Sequence, residues 1–257
     1  MRSRLARPPV LTASLLLLAA MSAAPAHALS TLNLRWDACL GDGGVSNKSF
    51  ACNTNTGVNV LVGSWVTPVD LFNVTGNQVV VDLGTFGPVL PAWWEFKNAG
   101  TCRQGSLSVS AAAAPTAVNC ADWSSGLAIG LLSSYIIGIK GPASARIIFA
   151  TTAAIPIPDG IVAGQEYFSF QLNINHQKTV GPGACAGCDV TMCIALIAVN
   201  VTNADSRFDR QLRIGSGSGD TLADSFVLWQ PVAGQTTCSR AVPVRNRTWG
   251  ELKSLYR

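Results

Sequence analysis

Three cysteines that stand close together in the sequence offer the clearest chance of chemistry. Cys185, Cys188 and Cys193 fall within nine residues. Thiolates at this spacing can bind one zinc ion, with Cys238 or His176 as a fourth ligand, because a C-x-x-C pair reaches the same ion from a tight turn. In an exported chain, an even number of cysteines instead indicates disulfides. We therefore predict disulfides and no metal, and keep zinc at Cys185, Cys188, Cys193 and Cys238 as an alternative.

All the cysteines of the chain follow residue 28. They are Cys39, Cys52, Cys102, Cys120, Cys185, Cys188, Cys193 and Cys238. Pairing between sequence neighbours predicts the bridges Cys39–Cys52 and Cys102–Cys120. The other four leave three connectivities open, and we favour one bridge inside the Cys-rich turn and one from the turn to Cys238. On the chain-entropy model, a bridge that closes a loop of this size stabilises the fold by roughly 3 kcal/mol.

The residues needed for a catalytic constellation are scarce. His176 is the only histidine after residue 28, and its place just past a predicted strand indicates an exposed or hydrogen-bonded loop residue. The segment Gly215–Gly219 resembles a nucleophile elbow, but its central residue is Gly217 and not serine. A glycosidase needs only two carboxylates, although no spacing singles out a pair. No phosphate-binding loop or dinucleotide fingerprint is present, and we predict no cofactor.

Trp93 and Trp94 offer a ligand-binding alternative. Neighbouring residues of a strand point to opposite sides, so one indole could pack in the core while the other stays exposed for stacking on a sugar ring. The competing interpretation buries both rings against Pro91 and Phe96. The sequence favours burial and leaves a carbohydrate site at Trp93 or Trp94 as an alternative.

Residues 1–28 have the features of a signal peptide. Three arginines precede an apolar run, and Ala26-His27-Ala28 fits a small-x-small cleavage pattern, so Leu29 is the expected first residue of the mature chain. The apolar run, Val10 to Ala20, is shorter than the ~20 residues that a spanning helix needs. We predict a secreted, periplasmic or cell-surface protein with no stable membrane span after cleavage.

Cleavage at this point would remove most of the basic excess. The chain has 18 Lys and Arg against 14 Asp and Glu, and residues 1–28 hold three of the arginines. Residues 239–257 carry a net charge of +4, whereas residues 29–238 carry −3. Because a mildly acidic body with a basic tail is a poor nucleic-acid binder, we predict no nucleic-acid partner.

The segment 29–238 predicts a single, mainly β domain. Short alternating stretches such as Leu32–Trp36, Val58–Val66 and Glu166–Ile174 are bounded by Gly, Pro and Asn turns. This pattern favours a disulfide-stapled antiparallel β-sandwich, Ig-like or jelly-roll-like, in which two sheets bury alternate residues against each other.

Two further stretches bear on the organisation of this domain. The segment Val74–Val79 weakly resembles Val162–Tyr167. An alternative interpretation therefore divides the domain into two similar halves, near 29–120 and 140–238. Residues 123–139 carry no charge and reach the lower length limit of a membrane span. Their four serines and three glycines instead favour a buried helix or a strand pair.

Residues 239–257 form a basic tail with a predicted short C-terminal helix. Thr248 and Glu251 have the spacing of a capping box. The apolar stripe of this helix would consist of Trp249, Leu252, Leu255 and Tyr256. Because a helix of this length is marginal alone, we expect the stripe to dock on the protein itself or on a partner.

The ending Arg245–Arg257, together with Gly183–Cys188, resembles a family of uncharacterised secreted bacterial proteins. The resemblance implies export and brings no known function or site. We predict an exported, non-enzymatic envelope or extracellular protein with a structural or adhesive role. Its partner is an unknown envelope or extracellular component, with glycans among the candidates. The alternatives are a carbohydrate-binding module and a secreted hydrolase that uses paired carboxylates.

Overall fold

The computed structural model describes residues 32–96, 99–114, 116–158, 160–214, 224–235 and 237–238. Regular structure in these ranges is almost entirely β. The strands are β1 (Leu32–Trp36), β2 (Asn47–Lys48), β3 (Val58–Val66), β4 (Val74–Thr85), β5 (Leu107–Ser110), β6 (Ala121–Asp122), β7 (Ala128–Ile137), β8 (Ser144–Ile157), β9 (Glu166–Asn175), β10 (Met192–Asn203), β11 (Arg210–Arg213) and β12 (Phe226–Trp229). Two single 3-10 turns, Ala92–Trp94 and Ser206–Phe208, lie within these ranges.

The first sheet, sheet A, has the strand order β1-β3-β9-β5, and the short β6 pairs with β9 as well. Its centre is the antiparallel pair β3 and β9, in which Val58 lies opposite Asn175 and Val66 opposite Glu166. The register shifts once, after Gly63. There the ring of Phe170 lies so close that a Cβ on residue 63 would stand 2.1 Å from it, so this position requires glycine.

The second sheet, sheet B, has the strand order β2-β12-β10-β4-β8-β7, and β11 pairs with β10. Its three central strands, β10, β4 and β8, are 12 to 14 residues long and antiparallel. They are rich in Val, Ile and Thr, which suit a pleated and largely buried surface. The pairing of β2 with β12 is parallel.

The two sheets pack face to face around one main core. Phe149 of β8 and Phe170 of β9 meet across it, with ring centroids 4.7 Å apart in an edge-to-face arrangement. The prediction of a mainly β, disulfide-stapled sandwich is confirmed. Both sheets combine strands from 29–120 with strands from 140–238.

The uncharged stretch 123–139 forms a single strand rather than the predicted buried helix or strand pair. Its strand, β7, is the last strand of sheet B and pairs with β8. Its side chains alternate between inward and exposed positions, because a strand at the edge of a sheet covers the core with one face only.

The disulfides join segments that are far apart in the sequence. The four bridges are Cys39–Cys120, Cys52–Cys188, Cys102–Cys185 and Cys193–Cys238. The predicted bridge from the Cys-rich turn to Cys238 is therefore confirmed. The predicted bridges Cys39–Cys52 and Cys102–Cys120, and the bridge inside the turn, are wrong. Strands separate the sequence neighbours, whereas Cys52 and Cys102 lie in loops at the same end of the sandwich as Cys188 and Cys185.

The two ends of the sandwich differ. Cys52, Cys102 and the turn 181–191 lie near the end at which β9 finishes and β10 begins. The opposite end holds the loops 67–73, 158–165 and 204–209, and none of these contains a cysteine. The bridges Cys52–Cys188 and Cys102–Cys185 thus cross-link one end, and the loops 67–73, 158–165 and 204–209 of the other end contain no cysteine.

The predicted signal peptide, residues 1–28, and the predicted C-terminal helix with Trp249, Leu252, Leu255 and Tyr256 lie outside the described residues. Both stay predictions.

Candidate ligand-binding cleft

Trp93 and Trp94 are not available to a ligand. They lie in the 3-10 turn Ala92–Trp94 rather than in a strand, and both are 0% exposed. The ring centroid of Trp93 lies 4.9 Å from that of Trp229, and Trp94 lies 5.2 Å from the same ring. A carbohydrate platform on either indole is therefore wrong, and the interpretation that buries both rings is confirmed.

A zinc site in the Cys-rich turn is also wrong. Cys185, Cys188 and Cys193 belong to three different disulfides, the last of them with Cys238. No cysteine of the protein is a free thiol. A thiolate ligand set cannot form while these bridges are intact, because a metal binds the thiolate and not the disulfide.

His176 lies in the aromatic core and not on the surface. It is buried, and its Nε2 is 2.6 Å from Nδ2 of Asn59. Burial, and then the positive charge of nearby Arg103, lower the pKa of His176 below its ordinary value. Arg103 itself donates to the carbonyls of Trp93 and Gln177, each at 3.0 Å. The histidine therefore packs in the core beside a buried cation.

The buried carboxylates have structural partners. Glu166 accepts hydrogen bonds from Asn33 Nδ2 at 3.1 Å and from the Gly41 amide at 2.8 Å. Asp82 accepts from Arg146 Nε at 2.6 Å and pairs with Lys140 Nζ at 2.7 Å. These two carboxylates fix loops and strands to each other.

Asp42 has a similar structural role on the outer side of sheet A. Its carboxylate accepts from the backbone amides of Val118, Asn119 and Cys120 at 3.0, 2.8 and 3.3 Å. Burial acts to raise the pKa of Asp42, but these amide donors outweigh it and lower the pKa overall. The carboxylate therefore holds the segment bridged by Cys39 and Cys120, and it is not poised for proton transfer.

An open cleft lies at the end of the sandwich opposite the Cys-rich turn. It has a volume of about 730 Å³ and two walls. Residues 69–73, between β3 and β4, form one wall, and residues 203–210, between β10 and β11, form the other. The loops take these positions because β3 and β10 both finish at this end of the sandwich and β4 begins there.

Two phenylalanines stand exposed in the cleft, one on each wall. Phe72 is 57% exposed and Phe208 is 64% exposed. Phe72 lies against Gly160, where a Cβ would stand 2.8 Å from the ring. Both rings keep most of their surface in solvent, although a phenylalanine ring contributes most when it is buried.

Hydrogen bonds hold the two walls in place. The side chain of Asn203 donates to the carbonyl of Phe72, and the Ala204 amide donates to the carbonyl of Asn73 at 3.0 Å. Asp70 accepts from the Ala163 amide at 2.8 Å, which ties the first wall to the loop 158–165. Hydrogen bonds therefore fix the backbone of the loops that carry the two exposed rings.

The polar groups of the cleft carry both charges. Asp205 pairs with Arg207, and the hydrogen bonds from the Arg207 side chain and then its backbone lower the pKa of Asp205. Asp209 accepts from the Asn203 amide at 2.8 Å. Asp70 and Arg210 also line the cleft. The cleft therefore presents two exposed rings together with acidic and basic side chains, a mixture of apolar and polar groups that is common in ligand-binding sites.

Sequence reasoning did not find this cleft. Asp70-Leu-Phe-Asn73 and Asp205-Ser-Arg-Phe-Asp209 each place a phenylalanine among turn-forming polar residues, outside any alternating strand pattern. An aromatic residue in such a turn indicates an exposed ring, because the residue does not belong to an alternating strand pattern that would bury it. The two turns lie side by side only because of the order of the strands in the sheets. The alternation of residues along the sequence does not predict that order.

The chain matches no protein-family model, and comparisons with curated proteins and with solved structures likewise find no match. The resemblance to secreted bacterial proteins therefore stays a prediction. Within the described part of the chain, no helix combines the length and the apolar character needed to cross a membrane.

Proposed function

We propose that this is an exported, non-enzymatic envelope or extracellular protein with an adhesive or structural role, and that it binds its partner in the cleft between residues 69–73 and 203–210. The observation that supports the proposal is the pair of exposed rings, Phe72 and Phe208, on walls held by backbone hydrogen bonds. A stacking or apolar ligand group that lies between them would remove both rings from water.

The disulfides support the proposal that the protein is exported and that its fold is rigid. Four bridges are expected of a protein that matures in an oxidising compartment. They leave the loops of the cleft without covalent restraint, so binding specificity can reside there while the fold stays locked elsewhere. Loops on a rigid scaffold are where proteins commonly place recognition.

A binding assay tests the proposal. The disulfide-bonded protein, labelled with a fluorophore, is applied to a glycan array that includes cell-wall polysaccharides and to immobilised extracellular-matrix proteins. We expect binding to at least one surface, and Phe72→Ala and Phe208→Ala each to weaken it by about tenfold or more. Val58→Ala removes an exposed aliphatic side chain from β3 and serves as the control. Absence of binding to both sets, or equal binding by wild type and both Phe variants, would overturn the proposal.

One observation favours a second candidate, a hydrolase that uses paired carboxylates. The cleft brings Asp70 from one wall together with Asp205 and Asp209 from the other. Two carboxylates on opposite sides of a bound sugar could act as acid and base. Release of reducing ends from a polysaccharide panel, lost in Asp70→Asn and kept in Asp37→Asn outside the cleft, would establish the hydrolase. No release from the panel would leave the binding function in place.

A further inference from the structure

The bridge Cys193–Cys238 fixes the point at which the basic tail, residues 239–257, leaves the sandwich. Cys238 is buried, and its partner Cys193 is the second residue of β10. From there β10 runs to Asn203, which lines the cleft. Ten residue steps at the rise of a β-strand cover about 33 Å. The tail therefore starts at the end of the sandwich opposite the cleft.

The charges of the tail and of the cleft are complementary. The tail carries a net charge of +4, whereas residues 29–238 carry −3. Three aspartates and two arginines line the cleft, so its net charge is −1. Asp205 pairs with Arg207, while Asp70 and Asp209 accept hydrogen bonds from backbone amides and form no ion pair among the described residues. Opposite charges of this kind steer two surfaces towards each other.

The tail also carries large apolar side chains that suit the cleft. The stripe of its predicted helix consists of Trp249, Leu252, Leu255 and Tyr256. An amphipathic helix commonly binds by placing such a stripe in an apolar groove, and tryptophan and tyrosine are frequent anchors of interfaces. Phe72 and Phe208 offer exposed rings on both walls of the cleft. A segment of the chain itself thus has the chemistry that the cleft would recognise.

The length of the tail decides which copy of the cleft it can reach. Nine residues, 239–247, precede the capping residue Thr248. Fully extended, they span at most about 32 Å. The cleft of the same copy lies beyond the far end of β10, about 33 Å from the bridge, so even an extended segment does not suffice. A second copy can place its cleft beside the start of the tail without this limit.

We propose that the cleft of one copy binds the tail of a second copy, with the apolar stripe between Phe72 and Phe208 and the tail's basic groups beside Asp70 and Asp209. Because the tail and the cleft are different surfaces at opposite ends, the copies join head to tail. This inference rests on the proposed function in one respect, namely that the cleft is a binding site. The occupant that it names is a second copy of the chain.

Mixing two variants tests the pairing of cleft and tail. Sedimentation velocity of the disulfide-bonded wild type should show a sedimentation coefficient that rises between about 1 and 100 μM. Phe208→Ala removes a ring from the cleft and Trp249→Ala removes one from the tail, so each variant alone should associate at least about tenfold more weakly. An equal mixture should associate with the affinity of the wild type, because one variant keeps an intact cleft and the other an intact tail. Val58→Ala, at an exposed position of β3, should associate like the wild type.

Cross-linking of the wild type gives a readout that requires no variant. Carbodiimide treatment of an equal mixture of unlabelled and heavy-isotope-labelled protein should join Lys253 to Asp70, Asp205 or Asp209 in mixed-isotope peptides. A wild type that stays monomeric, or a mixture of variants that associates no better than each variant alone, would overturn the inference. Mixed-isotope links that leave out the three cleft aspartates would overturn it as well.

The array assay described above separates this inference from the proposed function. Dilute protein that binds the array through Phe72 and Phe208, but does not self-associate when concentrated, would leave the proposed function in place and refute the binding of the tail. Self-association through the cleft without any binding to the arrays would have the opposite meaning. Failure of both assays would refute both.

Discussion

Cys52 and Cys188 stand 136 positions apart in the sequence, yet their Cα atoms lie 5.7 Å apart. The bridge fastens the loop between β2 and β3 to the turn between β9 and β10. The carbonyl of Cys188 accepts a hydrogen bond from Trp229 Nε1 at 2.6 Å, so the bridge also borders the aromatic core. One covalent bond thus joins two loops and the packing beneath them.

Removal of this bridge should destabilise the protein strongly. The double variant Cys52→Ala/Cys188→Ala leaves no unpaired thiol, and we expect it to lower the free energy of unfolding by roughly 2–5 kcal/mol. Guanidinium unfolding under non-reducing conditions measures the change. The wild type with all bridges reduced provides the reference for complete loss. A double variant as stable as the oxidised wild type would show that the bridge does not constrain the fold.

Arg103 should be an anchor of the aromatic core. Its guanidinium carbon lies 3.5 Å from the ring centroid of Trp93, and its nitrogens donate to three backbone carbonyls, two of them those of Trp93 and Gln177. Arg103→Ala should cost about 3 kcal/mol or more of unfolding free energy, because buried acceptors lose their donors.

Lys178→Ala is the matched control for Arg103→Ala. Lys178 is exposed and donates one hydrogen bond, to the carbonyl of Cys102 at 3.0 Å. Its loss should change stability by no more than about 0.5 kcal/mol. Equal effects of the two substitutions would contradict an anchoring role for Arg103.

The stability of the protein should depend on pH through His176. Its pKa is lower in the folded than in the unfolded protein, so the unfolded state binds more protons between the two values. The stabilisation is therefore complete above the unfolded pKa near 6.5 and is lost as the pH falls through the folded pKa.

Urea unfolding at several pH values between about 7.5 and 5 measures this dependence. His176→Gln should flatten the fall in unfolding free energy over that window, since no other histidine lies after residue 28. An equally steep fall in the variant would assign the dependence to other groups.

Any side chain at position 63 should destabilise the protein. A Cβ there would lie 2.1 Å from Phe170 Cε1 in the core, and Gly63→Ala should cost about 1–3 kcal/mol. Gly87 is the control, because a Cβ there would meet nothing closer than Thr85 Oγ1 at 3.7 Å. Thermal unfolding compares the two alanine variants. Equal melting temperatures would mean that the core accommodates the methyl group.

Local pattern predicted the strands well. Val58–Val66 is a strand over the expected residues, and the alternation that begins at Glu166 extends to Asn175, one residue further than expected. A period of two is a property of each strand alone, so the sequence displays it directly. Residues 92–94 instead form a 3-10 turn, because Pro91 precedes them and the core closes over both indoles.

The sequence pattern could not predict contacts between residues that are far apart in the chain. Disulfide partners and cleft walls depend on which loops the strand order brings to the same end. Cys39 lies nearer to Cys52 in sequence, yet it bonds to Cys120 across the outer side of sheet A. Phe72 and Phe208 similarly share a cleft although 136 positions separate them.

We propose an exported protein whose fold is locked by sequence-distant disulfides and whose cleft loops carry no disulfide. Peptide mapping of the secreted protein by mass spectrometry, without reduction and with thiols blocked, tests it most directly. We expect an N-terminus at Leu29, no blocked thiol, and linked peptides for Cys39–Cys120, Cys52–Cys188, Cys102–Cys185 and Cys193–Cys238. Blocked thiols, or linked peptides for Cys39–Cys52 and Cys102–Cys120, would contradict the account.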